Sequence, residues 1–101
     1  MWYINKSDIH GNGVFASENI SKGTKIDKVA HPKMSGLYEI TKFGSMVNHQ
    51  SKDNCELRFD QDHCYWLYAL VDILQGSELV SDYKKTLFPF DQKIDGFKER
   101  K

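Results

Sequence analysis

Apolar and polar residues alternate along this chain in short bursts. Trp2-Tyr3-Ile4, Val14-Phe15-Ala16, Cys55 to Phe59, Cys64 to Leu70 and Leu79-Val80 are runs rich in β-branched and aromatic types, the side chains that pack well on a pleated surface. Turn formers separate them: Gly11-Asn12-Gly13, Ser21-Lys22-Gly23 and Gln75-Gly76-Ser77. Asp60-Gln61-Asp62-His63 is a polar interlude between two such runs, which predicts a hairpin over Glu56 to Leu70. In its second arm Tyr65, Leu67 and Ala69 alternate with Trp66, Tyr68 and Leu70. Both faces are apolar, so this strand is expected to be buried on each side. Helical spacing occurs only in Ser35 to Met46, through Leu37, Ile40 and Phe43 or Gly44. Glycine costs a helix interior about 1 kcal/mol relative to alanine, so one short helix or turn is expected there. The chain reads as mostly β. Its end, Asp91 to Lys101, turns polar and charged after Phe88-Pro89-Phe90 and is expected to fray beyond Gly96.

A chain of 101 residues is expected to form one domain, hiding roughly two-thirds of the surface its unfolded form exposes. Fourteen basic and fourteen acidic residues cancel. The electrostatic excess that phosphate-binding proteins depend on is missing, and direct nucleic-acid binding is not expected. No stretch approaches the roughly twenty apolar residues of a membrane helix, and the polar Asn5-Lys6-Ser7-Asp8 does not read as a signal peptide. A soluble intracellular protein is expected. In that setting Cys55 and Cys64 are expected as free thiols, and the Asn19-Ile20-Ser21 sequon has no consequence.

Three segments carry candidate chemistry. Ile9-His10-Gly11-Asn12-Gly13-Val14-Phe15-Ala16 sets two glycines between apolar runs. Glycines permit a tight turn whose backbone can approach a ligand closely, although a plain hairpin accounts for the same pattern. Met46-Val47 leads into Asn48-His49, two side chains that donate and accept and that serve equally as satisfied polar groups of a core. Gly76-Ser77-Glu78-Leu79-Val80-Ser81-Asp82-Tyr83 ends in a tyrosine, a residue that ordinarily packs with its hydroxyl in water. His49, Cys55, His63 and Cys64 are all metal-ligand types, but they lack the close pairs that build a tetrahedral site, so no metal is expected. Asp53, Glu56, Asp60 and Asp62 make the middle locally acidic, either as a solvated loop or as an attractant for a basic peptide.

In this order, the segments at 9–16, at Val47-Asn48-His49 continued to Asp53-Asn54-Cys55, and at 76–83 resemble the three motifs of the SET domain. The resemblance extends over roughly residues 4 to 90. It implies a protein lysine methyltransferase of minimal stand-alone form, similar to compact viral and bacterial versions. The implied fold is the mostly β SET fold, small sheets around a pseudoknot, with residues 1–101 as a single domain ending in the 91–101 tail. By the resemblance, His10, Gly11, Asn12 and Gly13 contact the amino-acid part of S-adenosylmethionine, largely through backbone. Asn48 and His49 sit beside the adenine, and Tyr83 stands at the methyl-transfer channel as the catalytic residue. Gln50 replaces a common serine and Asp53 the family's usual proline, departures that bear on the loop after the Asn-His pair.

A second channel tyrosine commonly comes from the insert between the first two motifs. Here that insert, roughly Asp27 to Met46, is short, and its one tyrosine, Tyr38, takes the role. The cysteine-rich zinc flanks of larger family members are missing. That leaves Phe88, Phe90 and Phe97 as the aromatics available to close the site, Phe90 being assigned to the cofactor; capping of the core edge accounts for them equally. The implied substrate is a lysine-containing protein or peptide, the implied product S-adenosylhomocysteine. A short insert implies a shallow peptide groove, which a homodimer through an exposed Trp2 or Phe97 would deepen. The main rival is a non-catalytic binding module on the same fold; a third reading, a plain β-domain, binds no cofactor.

Overall fold

Residues 1–82 are described by a computed structural model; Tyr83, Phe88, Phe90, Phe97 and the tail from Asp91 lie outside the described residues. β1 (Trp2–Lys6) and β2 (Asn12–Ala16) form an antiparallel pair with Trp2 opposite Ala16 and Lys6 opposite Asn12. The turn between them closes where the Ser7 N–H donates to the Gly11 carbonyl at 2.8 Å. Gly11 sits at φ +47°, in the left-handed region that costs glycine little.

The second sheet has six strands in the order β4 (Tyr38–Ile40), β3 (Lys25–Pro32), β7 (Tyr65–Ala69), β6 (Cys55–Phe59), β8 (Val80–Ser81) and β5 (Asn48–His49). The first four pair antiparallel, whereas β8 runs parallel to both of its neighbours. The last strand in the sequence is thus seated between two earlier ones. Just before it, residues 76–79 run along β2: the Ala16 N–H donates to the Ser77 carbonyl and the Leu79 N–H to the Val14 carbonyl, at 2.9 and 2.8 Å. The core between the sheets holds Val14, Ala16, Val29, Leu57, Leu67 and Leu79, all buried.

The expected hairpin is present, with Cys55 opposite Ala69 and Phe59 opposite Tyr65. Burial of its second arm on both sides is not. Tyr65, Leu67 and Ala69 are buried, while Trp66 and Tyr68 are half-buried under charged side chains. Lys25 Nζ lies 4.1 Å from the Trp66 ring centre and the Arg58 guanidinium 4.5 Å from that of Tyr68. Long cationic stems cover an aromatic face as well as another apolar layer would, and attraction to the ring adds to it.

Helix α1 is confined to Lys42–Met46, and Tyr38–Ile40, expected as part of a helix or turn, is a strand. Thr41 marks the boundary: its hydroxyl accepts the Gly44 N–H at 2.9 Å and donates to the Lys28 carbonyl at 2.6 Å. Gly44 is where the helix touches β3, since a Cβ there would lie 2.5 Å from the Val29 carbonyl oxygen. β3 itself was not expected. Irregularities between Lys25 and Asp27 and between Lys28 and Ala30 put its buried residues, Ile26, Val29 and Ala30, out of simple alternation. Trp2 also differs from expectation. It is half-buried, packs on Phe43 at 4.8 Å between ring centres, and donates its indole N–H to Asp27 at 2.8 Å. Those contacts remove it as an exposed dimer residue.

Candidate functional site

Pairing of β2 with residues 76–79 carries the glycine turn against Glu78, and pairing of β5 with β8 carries Asn48 to the same place. Asn48 is completely buried. Its amide nitrogen faces four acceptors: Ser7 Oγ at 3.0 Å, the His10 carbonyl at 3.1 Å, the Asn12 carbonyl at 3.4 Å and Glu78 Oε2 at 2.9 Å. Three of these, the two carbonyls and the carboxylate, can only accept, and they dictate the orientation of the amide, because turning it over would set its oxygen against all three. Asn48 Oδ1 therefore points the other way, and among the described residues it is buried with no hydrogen-bond partner. A buried carbonyl oxygen left without a donor costs about 1–3 kcal/mol.

Ser7 and Glu78 complete the cluster. The Ser7 hydroxyl donates to the Glu78 carboxylate, 2.9 Å from each oxygen, and accepts the Ile9 N–H at 2.9 Å. At Gly13 a Cβ would lie 2.3 Å from Glu78 Oε2 and 3.2 Å from Asn48 Nδ2, so a larger residue there would have to push the Glu78 carboxylate aside. His10 and Asn12 join through backbone carbonyls while their side chains stay exposed. His49 follows on the same strand, with Nδ1 3.7 Å from Asp82 Oδ1.

Asn54 fixes β8 from the other side. Its side-chain oxygen accepts the Val80 N–H at 2.9 Å and its amide donates to the Glu78 carbonyl at 2.8 Å. One side chain thus imitates a neighbouring strand. Asp53, standing in place of proline, accepts the Asp82 N–H at 3.3 Å.

The structure therefore brings together His10, Gly11, Asn12, Gly13 and Asn48, with His49 beside them. Tyr38 lies elsewhere, on the edge strand four positions from β8 in the sheet order. Its hydroxyl donates to the His63 carbonyl at 3.0 Å and its ring meets Tyr65 edge-on. Tyr83 and Phe90 fall outside the described residues. Ser7, Asn54 and Glu78 were not singled out from the sequence as site residues. A carboxylate directly before the apolar Leu79-Val80 was the available signal for Glu78, since a charge next to buried strand positions needs partners.

The locally acidic middle is largely neutralised from within. Asp60 pairs with Lys25 and accepts from Tyr68 at 2.7 Å, and Asp62 accepts from the Trp66 indole. The Lys25 ammonium, the Tyr68 hydroxyl and the Gln61 N–H hold the Asp60 carboxyl down at about 2. Cys55 and Cys64 are buried free thiols, and burial, helped by nearby Asp53, pushes Cys55 up to about 12. Among the described residues no group of three His, Cys, Asp or Glu could hold a metal, and no helix is long and apolar enough to cross a membrane.

The SET-domain family model matches residues 28–84, more than half of the chain. The chain belongs to the SET-domain family, and membership brings the methyl-transferring class of chemistry. Its fold is the mostly β SET fold. A solved Plasmodium falciparum structure, described as that of a candidate histone methyltransferase, superimposes with a TM-score of 0.69 at 20% identity, covering 81% of this chain and 91% of that one. At that identity the likeness concerns the fold. No curated protein matches the sequence at a significant level.

Proposed function

We propose that this chain transfers a methyl group from S-adenosylmethionine to the ε-amine of a lysine in a protein or peptide. The observation that carries the reading is Asn48 Oδ1, a fully buried acceptor without a donor, on a residue bonded to a turn in which a side chain at position 13 would meet the Glu78 carboxylate. A buried acceptor without a donor fits a ligand rich in donors, such as an amino acid joined to a nucleoside. When bound, S-adenosylmethionine supplies a methyl on a positively charged sulfur. The resemblance sets both Asn48 and His49 beside the adenine; because Asn48 is bonded to the His10 and Asn12 carbonyls, it and the turn at His10 to Gly13 would instead hold the amino-acid part, and His49 the nucleoside side.

The acceptor amine must be neutral. With an ordinary pKa of about 10.4, deprotonating lysine at pH 7 costs roughly 4 to 5 kcal/mol. An apolar channel lowers that cost by disfavouring the charged form, so no strong base is required. Tyr83 is assigned the positioning of the amine, by hydroxyl and ring. Support comes from its place in the chain: it follows Asp82, whose N–H bonds Asp53 and whose carboxylate lies near His49. The seating of β8 between β5 and β6 supports the pseudoknot reading, and the family match supports a catalytic unit.

Mass spectrometry of lysine peptides incubated with the chain and S-adenosylmethionine tests the proposal. Steps of one methyl mass are expected. Tyr83→Phe is expected to cut turnover by two orders of magnitude or more, roughly the worth of a positioned catalytic group, with cofactor affinity near normal. Unchanged methylation by Tyr83→Phe removes that residue from the mechanism, and a wild-type chain that methylates no peptide favours the binding module.

A further inference from the structure

β1 is paired on one side only. β2 covers one edge, and among the described residues no strand pairs with the other. The register shows which backbone groups face outward. The Met1 carbonyl accepts the Ser17 N–H and the Ser7 N–H donates to Gly11, so the odd-numbered residues bond to β2. Alternation along an antiparallel ladder then turns the N–H and C=O of Trp2, Ile4 and Lys6 away from it. Of these, the Lys6 N–H is answered by Asn5 Oδ1. The strand is regular from Trp2 to Lys6, without the bulge, proline or central charge that ordinarily blunts an open edge.

Apolar surface collects at the same place. Of the eight large apolar side chains exposed among the described residues, Met1, Tyr3, Ile4 and Ile9 belong to β1 and its two ends, and Tyr3 stacks on Phe15 at 5.7 Å between ring centres. The edge is also complementary to its own reverse. Lys6, the one charge on the strand, stands at one end. Glu18 stands at the other, 61% exposed, with its carboxylate 4.0 Å from the Met1 amino nitrogen. We propose that a second copy of this chain seats antiparallel on β1, about a two-fold axis at Ile4. This register engages the whole strand and sets outward-facing residues against outward-facing residues: Ile4 meets the partner's Ile4, and Trp2 lies opposite the partner's Lys6. Each Lys6 then arrives beside the Glu18 end of the other copy. A basic peptide on the same edge would meet Lys6 with like charge, whereas a second copy meets it with an acid. The result is a continuous sheet in the order β2, β1, β1, β2, closed by its own symmetry and leaving neither β1 edge open.

Sedimentation equilibrium of the full chain under reducing conditions tests this. The mean mass is expected to rise with concentration towards twice that of one chain. Ile4→Lys sets two ammonium groups together on the axis and is expected to abolish the rise, while Phe59→Lys, at an exposed apolar residue of β6, leaves it intact. Lys6→Glu is expected to weaken association roughly threefold or more, since two exposed ion pairs are lost, and adding Glu18→Lys is expected to restore it. A wild type that stays monomeric at the highest concentration overturns the proposal. So does equal disruption by Phe59→Lys and Ile4→Lys, or a double variant that recovers nothing. Should Ile4→Lys fail to fold, Ile4→Cys decides. Facing residues of a hydrogen-bonded antiparallel pair lie about 5.5 Å apart at Cα, within reach of a disulfide, and the native Cys55 and Cys64 are buried. With oxidised glutathione, Ile4→Cys is expected to form a covalent dimer at least tenfold faster than Met34→Cys, a fully exposed position elsewhere; equal rates contradict the axis at Ile4.

Discussion

Asn48 shows how a common side chain acquires one role. An amide in solution turns freely, but here a hydroxyl, two backbone carbonyls and a carboxylate claim its nitrogen and leave its oxygen aimed where no described residue answers it. Gly13 is the complementary case, a residue present for the volume it lacks. Gly13→Ala would drive a methyl into the Glu78 carboxylate, whereas Gly11→Ala meets open space and costs only the strain of φ +47°. Gly13→Ala is expected to destabilise by about 1–3 kcal/mol, as overpacking does, and to weaken cofactor binding measurably by calorimetry, with Gly11→Ala milder in both. Equal effects would assign the cost to backbone freedom and not to the carboxylate. The sequence marks the glycines and the Asn-His pair as notable residues. It does not reveal that Ser7 and Glu78 lock them together, because that contact joins positions 71 residues apart and depends on how β2 meets the segment before β8.

Among the elements, β8 is the least conspicuous and the most consequential. Two residues long, it lies parallel between β5 and β6 and leads directly to Tyr83. Asn54 holds it by bonding the backbone on both sides of Leu79. Asn54→Ala leaves the Val80 N–H and the Glu78 carbonyl without these partners and is expected to cost roughly 2–4 kcal/mol, read as a lower denaturant midpoint; a change within error would show that the clip is dispensable. The β6–β7 hairpin was legible because its polar turn separates two clear apolar runs, whereas β3 was hidden by irregular register and by Lys25, Asp27 and Lys28 among its buried positions. Lys25 and Lys28 belong to a layer over Trp66 and Tyr68, whereas Asp27 accepts from the Trp2 indole. Within it Asp60 is held at about 2, below its ordinary 3.8. The folded state takes up this proton less readily than the unfolded state. The stabilisation is therefore complete above about pH 4 and is lost as pH falls towards about 2. Urea midpoints across that window are expected to fall less steeply for Asp60→Asn than for the wild type; identical slopes would mean that the pairing contributes nothing.

At the level of the whole molecule, the β1–β2 turn, Asn48 and the approach to Tyr83 derive from the beginning, middle and end of the sequence, and the pairing of β5 with β8, together with the packing of the small sheet on the large one, makes them neighbours. Motif order allowed that convergence to be expected, but hydrophobic pattern alone could not, since a late strand entering between two earlier ones runs against the usual preference for adjacent pairing. The balanced net charge leaves recognition to this local arrangement of donors and acceptors. An amide ¹H–¹⁵N titration of the full chain with S-adenosylhomocysteine puts the convergence to the test. The perturbed resonances are expected to gather at Ser7 to Gly13, Asn48-His49 and Glu78 to Asp82, while the edge formed by Tyr38 to Ile40 stays still. No perturbation, or one centred on that edge, would contradict a cofactor site built around Asn48.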